Sequence, residues 1–199
     1  MRSSWTTGLM LLILGLSASL WGGQGARGDE QLDQSFVPKR GGLRAGANMG
    51  ADEAQTFTVG IGGTLTRIEV LVYRFPDTAS GTLVLDVRPT VNGTPVEDDT
   101  AVLASVAVSV DTLPAYPGAF ISFDISAAGV AVTKGDVLAI VLSSDLPPTA
   151  IVYWRGDTGD TLPYPGGEWF NRGHPGGSWT SGIFGPADLG FQTFVDPGT

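Results

Sequence analysis

Arg67-Ile68-Glu69-Val70-Leu71-Val72-Tyr73 is the stretch on which the fold turns. Ile68, Val70 and Val72 alternate with a mostly polar set, the period of two expected of a strand with one buried face. The next run repeats the pattern. Leu83, Leu85 and Val87 point one way and Val84, Asp86 and Arg88 the other, with turn chemistry in Pro76-Asp77-Thr78-Ala79-Ser80 between them. Adjacency predicts a hairpin that pairs Val70 with Leu85, Ile68 with Val87 and Val72 with Leu83. Glu69 then faces Asp86, flanked diagonally by Arg67 and Arg88.

Working outward, short runs rich in Val, Ile, Phe and Thr recur between Gly, Pro, Asn and Asp clusters, and no long helical period appears. Strands are predicted near 31–37, 54–59, 64–74, 81–90, 101–110, 119–125, 136–143, 150–155, 168–171 and 188–195. Asn92-Gly93 is a tight-turn signal. Val137-Leu138-Ala139-Ile140-Val141-Leu142 is apolar throughout, which predicts a mid-sheet strand covered on both faces. From Gly156 to Gly190 the texture changes to ten glycines interrupted by prolines and aromatics, a long structured loop region. The pattern predicts an all-β fold, an antiparallel, jelly-roll-like β-sandwich of about ten strands, with a closed barrel as the alternative.

The first 26 residues have a signal-peptide layout: Arg2, an apolar stretch from Leu9 to Trp21, then Gly22, Gly23, Gly25 and Ala26. The stretch is too short to span a bilayer, which favours cleavage over retention as an anchor. The expected organisation is residues 1–26 as signal and 27–199 as one domain, secreted or on the cell surface, with no transmembrane segment after cleavage. A net charge of −9 and only two lysines, Lys39 and Lys134, disfavour a nucleic-acid partner. The chain has no Cys, so a packed core must supply its stability without disulfides.

Several segments taken together resemble a known group. These are Ala54-Gln55-Thr56-Phe57-Thr58-Val59-Gly60 with Gly63-Thr64-Leu65-Thr66, Gly135-Asp136-Val137-Leu138-Ala139-Ile140-Val141, Tyr164-Pro165-Gly166-Gly167, and Asp188-Leu189-Gly190-Phe191-Gln192-Thr193-Phe194-Val195. The group is one of uncharacterised bacterial exported domains, whose relatives often carry a C-terminal exosortase-type (PEP-CTERM) sorting anchor. The resemblance covers about residues 31–196. It implies a secreted or surface β-sandwich, similar to many carbohydrate-binding modules, and supplies no functional residues. The sequence stops at Asp196-Pro197-Gly198-Thr199, without the apolar helix and basic tail of the anchored relatives.

Tyr153, Trp154, Tyr164, Trp169, Phe170 and Trp179 gather most of the large aromatics of residues 27–199 near one end, and flat aromatic faces can stack on sugar rings. Alternation puts Tyr153 and Trp154, and likewise Trp169 and Phe170, on opposite faces, so about half of the set belongs to the core. The ligand-binding candidates are therefore Trp154, Tyr164, Trp169 and Trp179 with Asp157 and Asp160 beside them, and the expected partner is a glycan or extracellular matrix polymer. Asp157, Asp160 and Glu168, or Asp29, Glu30 and Asp33, supply oxygens for a structural calcium, although no EF-hand spacing is present. No other cofactor is expected. The sole histidine, His174, lies between Gly173 and Pro175 with no nucleophile signature nearby, so a catalytic triad has little to rest on.

The leading expectation is a non-enzymatic module. A glycan-acting hydrolase using Glu69 and Asp86 is the first alternative, although flanking arginines keep both carboxylates ionised and leave no proton donor. A passive envelope or matrix component is the second.

Overall fold

The computed structural model describes residues 29–198, apart from 41, 49, 160–162, 174–175 and 182–184. The signal segment 1–26, Asp160 and His174 lie outside the described residues. The chain forms β1 (Gln31–Phe36), β2 (Leu43–Ala47), β3 (Ala51–Thr58), β4 (Gly63–Phe75), β5 (Thr82–Val91) and β6 (Thr94–Pro95). There follow β7 (Ala104–Ser109), β8 (Ala119–Asp124), β9 (Val130–Val132), β10 (Val137–Ser144) and β11 (Ile151–Thr158). The last are β12 (Trp169–Gly173), β13 (Thr180–Ser181), β14 (Ala187–Leu189) and β15 (Phe191–Asp196). Two one-turn 3₁₀ segments interrupt this all-β course.

Two antiparallel sheets face each other. The first runs β1-β15-β4-β11-β14, with β2 on β11 and with β8 and β9 on β4; the second runs β13-β12-β3-β10-β5-β6, with β7 on β5. The long strand β4 is the spine of the first sheet. Its residues 64–70 pair with β15 and its residues 72–75 with β11, while β9 and β8 occupy its other side. Leu71 N–H bridges the splice by donating to the Gly190 carbonyl at 3.0 Å. In the second sheet β10 lies between β3 and β5, as its apolar run predicts. Leu138, Ile140 and Leu142 enter the main core, whereas Ala139 and Val141 join Ala54, Phe170 and Trp179 in a smaller cluster on the outer face. Asn92 and Gly93 both have positive φ, 54° and 81°, and make the tight turn between β5 and β6.

The expected β4–β5 hairpin does not form. Residues 76–81 carry the chain from one sheet to the other, so Ile68, Val70 and Val72 meet Leu83, Leu85 and Val87 across the core instead of edge to edge. Alternation specifies which face of a strand is buried but not which strand lies beside it, and both solutions bury the same six side chains. At about 1.5–3 kcal/mol for each fully buried aliphatic side chain, that interface is a main source of stability. The local charge balance survives in another form: Arg67 pairs with Glu69 and Arg88 with Asp86, each within its own strand.

Polar side chains tie the two sheets together at their edges. Glu53 and Gln55 project from β3 on the same side as Phe57, and both are buried. Glu53 accepts the Gly46 N–H of β2 at 3.0 Å and the Trp169 indole N–H at 2.8 Å. Gln55 donates to Asp188 at 2.8 Å and accepts the Leu189 N–H at 2.7 Å, reaching β14.

Candidate ligand-binding site

The aromatic residues singled out from the sequence are structural. Trp154, Trp169, Tyr164 and Trp179 are all buried, none more than 7% exposed, so none can stack on a sugar. Each spends its polar atom or its ring inside the protein. Trp154 donates to the Gly190 carbonyl at 2.8 Å, and the Tyr164 hydroxyl to Gln34 at 2.8 Å with its ring edge-on to Phe191. Burial pushes that hydroxyl up to about 12, so it stays protonated. The Trp179 ring lies 4.5 Å from the Arg172 guanidinium. Trp154, Tyr164 and Trp169 bring large apolar area to the main core, and Trp179 packs in the smaller cluster on the outer face of the second sheet. Asp157 is likewise occupied, its carboxylate accepting the N–H groups of Lys39 and Arg40.

The carboxylate pair is also undone. Glu69 points from the outer face of the first sheet and Asp86 from the outer face of the second, with the whole core between them. Asp86 belongs to an ionic chain in which buried Arg88 joins it to the exposed Asp99, and buried Arg172 joins Asp99 to buried Asp52. Asp33, named as a calcium candidate, holds the N–H groups of Gly60 and Ile61, and Glu30 holds Arg67. Among the described residues no three carboxylate or imidazole side chains gather as a metal ligand set.

What the structure does present is an aromatic bay on the outer face of the first sheet. Alternation on β11 buries Val152 and Trp154 and turns Ile151, Tyr153 and Arg155 outward; on β4 it buries Val70 and Val72 and turns Tyr73 and Phe75 outward. Tyr153 and Tyr73 are direct cross-strand partners, and their rings stack with centroids 5.1 Å apart. Phe75 tilts against Tyr153 at 6.3 Å. The loop before β8 supplies the remaining wall. The Pro114 carbonyl accepts the Arg74 N–H at 3.0 Å, and Gly118, at φ +91°, lets the loop lie so close to β4 that a Cβ there would come within 2.6 Å of the Val72 oxygen. The Tyr116 ring is thereby set edge-on to Tyr73 at 5.4 Å, and the Arg44 guanidinium sits 5.4 Å from the same ring. Gly46 on β2 leaves room, since a Cβ there would fall 2.4 Å from the Ile151 side chain.

The bay is an open, shallow concavity of about 360 Å³ between Arg44, Tyr73, Phe75, Tyr116 and Tyr153. Tyr116 and Phe75 are 61% and 56% exposed, whereas Tyr73 forms a buried floor. Burial pushes the Tyr73 hydroxyl above its usual range, and Arg44 and Arg155 partly oppose this, so the floor is uncharged at neutral pH. Outward parity at Tyr153 was legible in the sequence. Tyr116 was not picked out, although a lone tyrosine in Leu113-Pro114-Ala115-Tyr116-Pro117-Gly118, outside any alternating run, was the signal available. A second concavity of about 320 Å³ is lined by Glu30, Thr64, Thr66, Arg67 and Asp124 among others, and its arginine is held by Glu30 and Glu69.

No family model and no curated protein matches the chain. Solved structures do. One, of the cysteine protease and lectin-like domains of Cwp84, a surface layer associated protein of Clostridium difficile, superposes with a TM-score of 0.59 at 15% identity over 85% of this chain. Another, of the clostridial cysteine protease Cwp84 after propeptide cleavage, gives a TM-score of 0.55 at 16% identity over 83% of this chain. The chain spans 36% and 40% of the length of those two structures. At such identities the likeness is one of fold, and it agrees with the sandwich described above. Thiolate chemistry of the protease kind is closed to this chain, which contains no cysteine.

Proposed function

We propose that this chain is an exported, non-catalytic module of the cell exterior that binds a glycan or matrix polymer in the bay formed by Arg44, Tyr73, Phe75, Tyr116 and Tyr153. The observation that carries the reading is the bay itself: exposed aromatic faces in different orientations around a concavity sized for one or two sugar rings, with a guanidinium at its rim. Aromatic faces take the apolar side of a pyranose while an arginine donates to its oxygens. Among the described residues no carboxylate lines the bay, which supports binding over the acid–base chemistry of glycoside cleavage. The signal-peptide layout of residues 1–26 supports export, and a fold shared with a surface layer associated protein that has lectin-like domains supports a surface role.

The test is a glycan and polysaccharide panel on the purified protein, with calcium and with chelator, against the double variant Tyr116→Ala, Tyr153→Ala. Binding that the variant loses while keeping its melting temperature is the expected result. A broad panel with no binder, or binding indifferent to both tyrosines, overturns the assignment.

A further inference from the structure

Arg44 and Arg155 are direct cross-strand partners on β2 and β11, with their side chains on the outer face beside the bay. Both guanidiniums converge on the same loop: Arg155 donates to the Pro117 carbonyl at 2.9 Å, and Arg44 lies over the Tyr116 ring. Neither forms an ion pair among the described residues. Three other guanidiniums pair with carboxylates, Arg67 with Glu30 and Glu69, Arg88 with Asp86 and Asp99, Arg172 with Asp52 and Asp99, whereas Arg74 donates to the Ala79 carbonyl. Acids outnumber Lys and Arg by 20 to 11, so carboxylates are not scarce. Two like charges directly opposed across a strand pair are unfavourable by themselves, and an anion placed between them removes the repulsion.

Resting on the glycan reading above, we propose that the bay takes a carboxylate-bearing sugar, a uronic acid residue of an anionic polysaccharide. Its carboxylate is held by Arg44 and Arg155, and its ring lies against Tyr116 or Tyr153. The planar fork of a guanidinium matches a carboxylate in two parallel hydrogen bonds, which a neutral hydroxyl cannot reproduce. The aromatic wall supplies sugar-ring contact and the arginine pair supplies selection for charge.

The experiment compares an oligogalacturonate with its methyl ester by calorimetry, on the wild-type protein and on Arg44→Gln, Arg155→Gln and the double variant. The acid is expected to bind the wild type about tenfold or more tightly than the ester, with the ratio of the two affinities shrinking at high salt and falling to about one in the double variant, whatever ester affinity that variant keeps. Acid and ester binding alike overturns the carboxylate assignment and leaves the neutral-glycan reading standing. A sulfated glucan binding as tightly as the uronate also overturns it, because the site then reads charge alone. If neither oligosaccharide binds and the broad panel is silent too, the glycan reading fails with it.

Discussion

The indole N–H of Trp169 donates to Glu53 at 2.8 Å while the other carboxylate oxygen of Glu53 accepts the Gly46 N–H at 3.0 Å, so a single buried acid spans both sheets. Desolvation pushes Glu53 up to about 7 despite these hydrogen bonds, and pushes Asp188, beneath Tyr164 and Gln55, up to about 6. The folded protein therefore holds both protons more tightly than the unfolded chain does. Their stabilising contribution is fully present below about pH 4 and is lost as the pH rises through 6 to 7, with up to about 3 kcal/mol at stake for Glu53. Urea unfolding should show wild-type stability falling between pH 5 and pH 8. Glu53→Gln should flatten much of that fall, from a baseline about 1 kcal/mol lower, because an amide accepts from only one of the two donors. Equal pH dependence in the two proteins would remove Glu53 as the cause.

Tyr116 and Trp169 should separate binding from folding. Tyr116 is mostly exposed, so Tyr116→Ala should change stability by less than about 1 kcal/mol while weakening ligand binding. Trp169 is buried against the core, so Trp169→Ala should cost about 3–5 kcal/mol by opening a cavity and leaving Glu53 without its indole donor. Thermal melts of the two variants run side by side decide this.

Arg172 is the hub of the outer network on the second sheet, joining Asp52 to Asp99 beneath the Trp179 ring. Arg172→Ala leaves buried negative charge without its counter-ion and should cost about 3–5 kcal/mol. Adding Asp52→Asn should restore part of that loss, and denaturant midpoints that fail to recover in the double variant would speak against uncompensated charge as the mechanism.

Gly118 links backbone geometry to the proposed site. A methyl group there meets the Val72 carbonyl and must adopt φ +91°, so Gly118→Ala should lift the Tyr116 loop off β4. Binding should fall by about tenfold or more, with a stability loss of about 1–2 kcal/mol. A crystal structure of the variant with Tyr116 unmoved would contradict this.

Sequence alone determined which residues could be buried and on which side. The alternation in Ile68, Val70, Val72 and in Leu83, Leu85, Val87, the uniform apolarity of residues 137–142 and the Asn92-Gly93 turn carried the all-β sandwich, because period and turn chemistry are local properties of the chain. The short strands β2, β6, β9 and β13 were missed. They carry too few residues for a period to show, and their pairing depends on the neighbours they meet. Only the tertiary structure decided that β4 and β5 oppose each other across the core, which separated Glu69 from Asp86. It alone decided that Trp154, Tyr164 and Trp169 fill the main core and Trp179 covers the outer face of the second sheet, while Tyr73, Phe75, Tyr116 and Tyr153 meet on the outer face of the first. Composition counts aromatic rings, but which of them see water depends on the sheet partners and loops that cover each face, and those come from contacts distant in the chain.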